Sequence, residues 1–93
     1  MTNNARPFSF FREAITKWPD NPYVNLECGV AYYKNHTKPD DLIQAEKFLR
    51  NAVKLVGTRN CRAVYQALGS FLIHYKDRAE GKMYLHMASV AQK

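Results

Sequence analysis

The side chains in this 93-residue sequence with the means to do chemistry are three histidines, His36, His74 and His86, and two cysteines, Cys28 and Cys61. An imidazole can hold zinc or move a proton, and a thiolate can attack a carbonyl, but each needs partners at short, defined spacing. No histidine here stands at ligand spacing from a cysteine or an acid. There is no His-Glu-x-x-His pair, no glycine-rich phosphate loop, and no serine or cysteine in a nucleophile context. The residues argue against an enzyme and predict neither a metal nor an organic cofactor. Cys28 and Cys61 lie far apart in helical patterns among small or apolar neighbours, so they read as buried, reduced thiols.

Charge offers a different kind of chemistry. Lys47, Arg50 and Lys54 are spaced to share one face of a helix, and Arg59 and Arg62 follow closely. With a formal net charge of +6, such a face could meet a nucleic-acid backbone or an acidic protein, although a solvated outer face is the plainer reading. No apolar run is long enough to span a bilayer, and the polar opening Met1-Thr2-Asn3-Asn4 lacks the apolar core of a secretory signal. A cytoplasmic protein without membrane attachment is expected.

The elements that must carry these residues are helices. At this length the chain makes one domain with a modest core, and four glycines and four prolines leave little room for a loop-rich fold. After a tail over residues 1–7, Phe8, Phe11, Ala14 and Ile15 recur at helical spacing up to Trp18, where Pro19 stops the helix. Asn21 then caps and Pro22 opens a second helix running to about residue 34. Thr37 and Asp40 resemble a capping box before a third helix with Leu42, Ala45, Leu49, Ala52, Val53 and Val56 on its buried side. Gly57 ends it in a left-handed cap. A fourth helix over residues 61–75 places Val64, Ala67, Leu68, Phe71, Leu72 and Tyr75 at spacings of three and four. Asp77 caps a fifth that carries Gly81, Leu85 and Ala88. Nothing alternates at period two for long enough to make a strand, so the chain is expected to be all-α with five helices.

These helices repeat a motif. Tyr65, Leu68, Gly69 and Leu72 are spaced like Asn25, Cys28, Gly29 and Tyr32; Ala45, Leu49 and Ala52 are spaced like Gly81, Leu85 and Ala88, and Phe11 and Ala14 match the last two positions before Pro19. On these residues the chain resembles the tetratricopeptide repeat (TPR) family, with Leu72 where an aromatic is usual and Gly57 where a proline is usual. The resemblance covers residues 8–93. It implies a short right-handed α-solenoid of stacked antiparallel helix pairs, divided as a half repeat (8–19), a full repeat (20–57) and a second repeat (58–93). An enlarged loop near residues 35–40 departs from the family pattern.

The resemblance also implies a function: a concave groove lined by the first helix of each repeat, taking a peptide or helix of a partner protein. Carried over position by position, the groove residues are Tyr23, Leu26, Val30 and Tyr33, then Ala63, Gln66, Ser70, Ile73 and His74. Their apolar, uncharged character suits an amphipathic helix or extended apolar segment, in an adaptor or a small chaperone. The plainer alternative is that they fill a tightly curled solenoid. Open ends of an incomplete stack are expected to expose Phe8, Phe10, Trp18, Met83, Met87 and Val90 and to favour a homo-oligomer or an obligate partner.

Overall fold

The computed structural model describes residues 5–57 and 61–90, and these form five helices with no strand among them. They are α1 (Ala5–Lys17), α2 (Pro22–Lys34), α3 (Pro39–Val56), α4 (Arg62–Tyr75) and α5 (Arg78–Val90). Helix α1 takes in Ala5 and Pro7, which the sequence pattern left in the tail. A proline is tolerated there because amides of the first helical turn have no intrahelical acceptor.

Local chemistry sets the boundaries. Asn21 accepts hydrogen bonds from the amides of Tyr23 (2.8 Å) and Val24 (3.1 Å), and Pro22 follows it as the first helical residue. The expected pairing of Thr37 with Asp40 is corrected by one residue. Lys38 occupies the cap position without a side-chain bond, and Asp41 reaches back to accept from the Thr37 amide at 2.9 Å. Asp40 is exposed, one step round the helix from that amide. Gly57 has φ 59° and ψ −125°, a conformation for which glycine alone is suited, although ψ lies outside the left-handed helical basin. Cys61, expected as the first residue of the fourth helix, is instead its cap residue. Asp77 accepts from the Glu80 amide at 3.1 Å, as its position before α5 requires.

Two helix pairs dominate the packing, α2 against α3 and α4 against α5; α4 also meets α2 and α3, while α1 meets α2 alone. The same small-residue contact closes both pairs. A β-carbon on Gly29 would lie 2.7 Å from Leu49 Cγ and 3.1 Å from the Ala45 carbonyl oxygen. One on Gly69 would lie 2.9 Å from both Leu85 Cγ and the Gly81 carbonyl oxygen. Backbones approach so closely here that no side chain fits. Around these contacts Leu26, Ala45, Leu49, Ala52, Val56, Val64, Leu68, Phe71 and Leu72 form one buried core.

Polar groups inside this core are satisfied. Asn25 is 1% exposed; its Nδ2 donates to the carbonyls of Pro19 (3.0 Å) and Asn21 (2.9 Å), and its Oδ1 accepts from Asn51 Nδ2 at 2.9 Å. Because carbonyl oxygens only accept, the amide orientation of Asn25 is fixed, and it joins the α1–α2 turn to α3. The molecule measures 43 × 27 × 17 Å. With helices about 10 Å thick, that slab is less than two helices deep, so every helix keeps an exposed side.

Candidate protein-binding surface

The groove residues divide into two sets. Leu26 is 8% exposed and belongs to the core, with Val30 and Tyr33 packed half-buried against it. Ile73 is turned toward α5, its Cγ1 lying 2.6 Å from where a β-carbon on Gly81 would stand. Ser70 is half-buried. Those five side chains are partly or wholly used by the fold. Tyr23, Ala63, Gln66 and His74 are exposed. Tyr23 sits by the start of α4, where the Cys61 thiol approaches its hydroxyl at 3.8 Å.

A more pronounced surface lies where the C-terminal ends of α2 and α4 meet the start of α3. Tyr33, Phe71 and Tyr75 form a triangle of rings with centroids 5.8, 6.2 and 5.3 Å apart. His36 meets Tyr75 edge-on at 5.6 Å, and His74 flanks it at 6.2 Å. His36 Nδ1 lies 2.7 Å from the Tyr33 carbonyl, so this nitrogen carries the proton and the ring is held at the end of α2. Burial, and secondarily the neighbouring Tyr75, pushes the Tyr33 hydroxyl above its ordinary pKa. The cluster is uncharged at this position, and it stays partly open: Tyr75 is 42% and Ile43 54% exposed. Leu42, Ile43, Phe71 and Tyr75, with Glu46 and Lys76 at the rim, line a shallow cavity of about 210 Å³.

Tyr75 and Ile43 were not among the groove residues expected from the sequence. The signal for Ile43 was present: it falls off the Leu42-Ala45-Leu49-Ala52 stripe, on the side a lone helix would give to water. Tyr75 is followed at once by Lys76 and Asp77, which end the helix and leave its last turn without cover on one side.

The basic face is also partitioned. Lys47, Lys54 and Arg62 are exposed, whereas Arg50 is held. Its Nη1 and Nη2 donate to the two carboxylate oxygens of Glu80 at 2.9 and 3.0 Å, and its Nε donates to Glu46 at 2.8 Å. Lys76 Nζ donates to the same Glu46 at 3.1 Å. Burial raises the carboxyl pKa of Glu46, but the bonds from Arg50 and Lys76 outweigh it and leave the group below its ordinary value. The network ties α3 to the end of α4 and the start of α5. Arg59 lies outside the described residues.

Cys28 is 1% exposed and its thiol donates to the Phe11 carbonyl at 3.4 Å, linking α2 to α1. Burial, with a smaller contribution from Glu27, pushes this thiol up to about 11, which keeps it protonated and unreactive near neutrality. Both cysteines are free. Among the described residues no group of three or more His, Cys, Asp or Glu side chains is arranged to hold a metal ion, and no helix is long and apolar enough to cross a membrane. Phe10, Trp18, Met83 and Val90 are exposed and Met87 is half-buried; the Phe8 side chain lies outside what is described. No protein-family model, curated protein or solved structure matches the chain.

Proposed function

We propose that this chain is a non-enzymatic protein-interaction module, an adaptor or small chaperone, built as two and a half TPR-like repeats. It takes an apolar anchor of a partner peptide or helix at the face formed by α2 and α4. The observation that carries the binding reading is the exposed edge of the aromatic cluster at Tyr75, which packs on Tyr33 and buried Phe71, beside exposed Ile43 and the cavity that Tyr75, Phe71 and Ile43 border. Aromatic side chains that are rigidly packed on one edge and open on the other cost little entropy to immobilise further, which favours them as anchors for a partner. The TPR-like reading is supported by the identical Gly29 and Gly69 contacts in the two helix pairs, and by α4 lying against both α2 and α3.

Relative to the sequence expectation, the binding surface moves toward one end of the helix pair. Tyr33 remains in it, Leu26 leaves it for the core, and Tyr75 and Ile43 enter. Selection from a displayed random peptide library tests this reading. Enriched peptides should share large apolar residues and should lose binding to a Tyr75→Ala, Ile43→Ser variant that melts like the parent. Enrichment that is indifferent to those two substitutions would sink the assignment. A second reading, self-assembly, is favoured by the exposed Phe10 and Trp18 on α1 and Met83 and Val90 on α5. Sedimentation distinguishes it, since self-assembly requires species larger than a monomer in the absence of any peptide.

A further inference from the structure

The net charge is confined to one part of the chain. Residues 1–41 hold five Lys or Arg and five Asp or Glu, whereas residues 42–93 hold nine Lys or Arg and three acids, so the whole excess of +6 falls after residue 41. Moreover, the three acids there are committed internally. Glu46 takes Arg50 and Lys76, Glu80 takes Arg50, and Asp77 caps α5. Lys47, Lys54, Arg62, Arg78 and Lys82 are exposed and make no ion pair with a described residue.

On α5 these charges take a definite form. Arg78 and Lys82 stand four residues apart, one helical turn, with His86 a further turn along the same exposed stripe. Exposed Met83 and Val90 lie on one side of it. On the other side is a cavity of about 180 Å³ between α4 and α5, bordered by Arg62, Gln66, Leu85, Ala88 and Ser89, with Arg62 its charged member. Cations therefore run between an apolar strip and a polar notch, with no acidic side chain on the exposed side of α5.

We propose that this face of α5, with Arg62 of α4, is a docking surface for an acidic amphipathic segment of a partner protein. Its carboxylates would lie along Arg78, Lys82 and Arg62, and its apolar residues would cover Met83 and Val90. The inference rests on the reading of the chain as a protein-interaction module and names the chemistry of a partner. The apolar positions argue against nucleic acid, because phosphates gain nothing from Met83 or Val90. Base stacking is also poorly served, because Tyr84 is half-buried and stacked on Tyr65, which leaves His86 as the one exposed ring on α5. A membrane surface is also a poorer fit. The main apolar face of α5, through Gly81, Leu85 and Ala88, is spent against α4.

Fluorescence anisotropy with a labelled helical peptide of glutamate and leucine tests the proposal at an ionic strength of about 0.15 M. Companion probes are the same peptide with glutamine for glutamate, a single-stranded oligonucleotide, and vesicles containing anionic phospholipid. The acidic peptide should bind more tightly than the other three. Arg78→Glu with Lys82→Glu should weaken it about tenfold, and Lys47→Glu with Lys54→Glu on α3 by less than about twofold. If the α5 pair unfolds the protein by circular dichroism, Lys82→Gln with Met83→Ser replaces it, with a loss of about threefold expected.

Absence of binding, equal loss from the α3 and α5 substitutions, or tighter binding of oligonucleotide or vesicles overturns the inference. The Tyr75→Ala, Ile43→Ser variant should lose less affinity for the acidic peptide than the α5 variants do. If that variant loses it while the α5 variants do not, this inference fails and the interaction-module reading stands. If neither the acidic peptide nor any library peptide binds, both fail.

Discussion

At the scale of single residues, Asn25 shows how the fold specifies itself. It is a small amide buried with all its polar atoms used, two donors on turn carbonyls and one acceptor on Asn51. Asn25→Asp keeps the shape but faces two carbonyl oxygens with a group that cannot donate when ionised. Urea unfolding near neutral pH should show a loss of about 3 kcal/mol; a loss under about 0.5 kcal/mol would mean the network adds nothing to stability. The cysteines give a second test at this scale. Cys28 is sealed, with its thiol pushed up to about 11, whereas Cys61 is half-buried at the start of α4. A thiol reagent applied to the native protein should modify Cys61 well before Cys28, and Cys28→Ala should keep the fast phase; two equal rates would contradict the burial of Cys28. The sequence suggested both cysteines were buried, because a helical pattern does not distinguish the middle of a helix from its half-covered cap.

At the scale of elements, the pattern of apolar and small residues was sufficient to place the helices, because glycine, proline and asparagine mark nearly every boundary. It misjudged Asp40 and Asp41 because both follow Thr37 closely, and only the path of the loop decides which carboxylate points back to the amide. The close pairing of α4 with α5 depends on Gly81, where a β-carbon would lie 2.7 Å from the Gly69 carbonyl oxygen and 2.8 Å from the Ile73 amide nitrogen. Those are backbone atoms and cannot swing away. Gly81→Ala should therefore destabilise by about 1–3 kcal/mol despite a gain in helix propensity of about 1 kcal/mol. A thermal melt shifted upward would show that the helices are not in such close approach.

Acid should act on the other pair, at α3. Glu46 and Asp41 both titrate below their ordinary values, Asp41 chiefly because the Thr37 amide bonds its carboxylate. A depressed carboxyl contributes stability above its unfolded pKa and loses it as pH falls through the folded value. Stability should thus decline between about pH 5 and about pH 3, and the decline should be smaller in Glu46→Gln. An unchanged decline in that variant would mean the Arg50–Glu46–Lys76 network does not contribute. The part of this network that crosses between helices was not legible, since Arg50 and Glu80 are thirty residues apart and their meeting depends on how α5 folds back.

At the scale of the whole molecule, the slab of five helices leaves two unlike surfaces, an open aromatic cluster at one end of α2 and α4 and a cationic strip along α5. Part of the first was legible: Tyr33 and His74 lie in or beside it. The rest was hidden because exposure at a helix end depends on what the neighbouring helix covers, and periodicity alone is silent on that. Leu26 and Val30 fit both a groove and a core by residue type, and the close approach of α2 to α4 puts the first in the core and packs the second against it. We propose that the Tyr75 cluster receives a partner's apolar anchor. The most direct test of this proposal is a nuclear magnetic resonance titration of the labelled protein with a peptide enriched by library selection. Saturable shifts centred on Ile43, Phe71, Tyr75 and Tyr33 are expected. Saturable shifts confined to Lys47 and Lys54 on the outer side of α3, with the aromatic cluster unmoved, would contradict it.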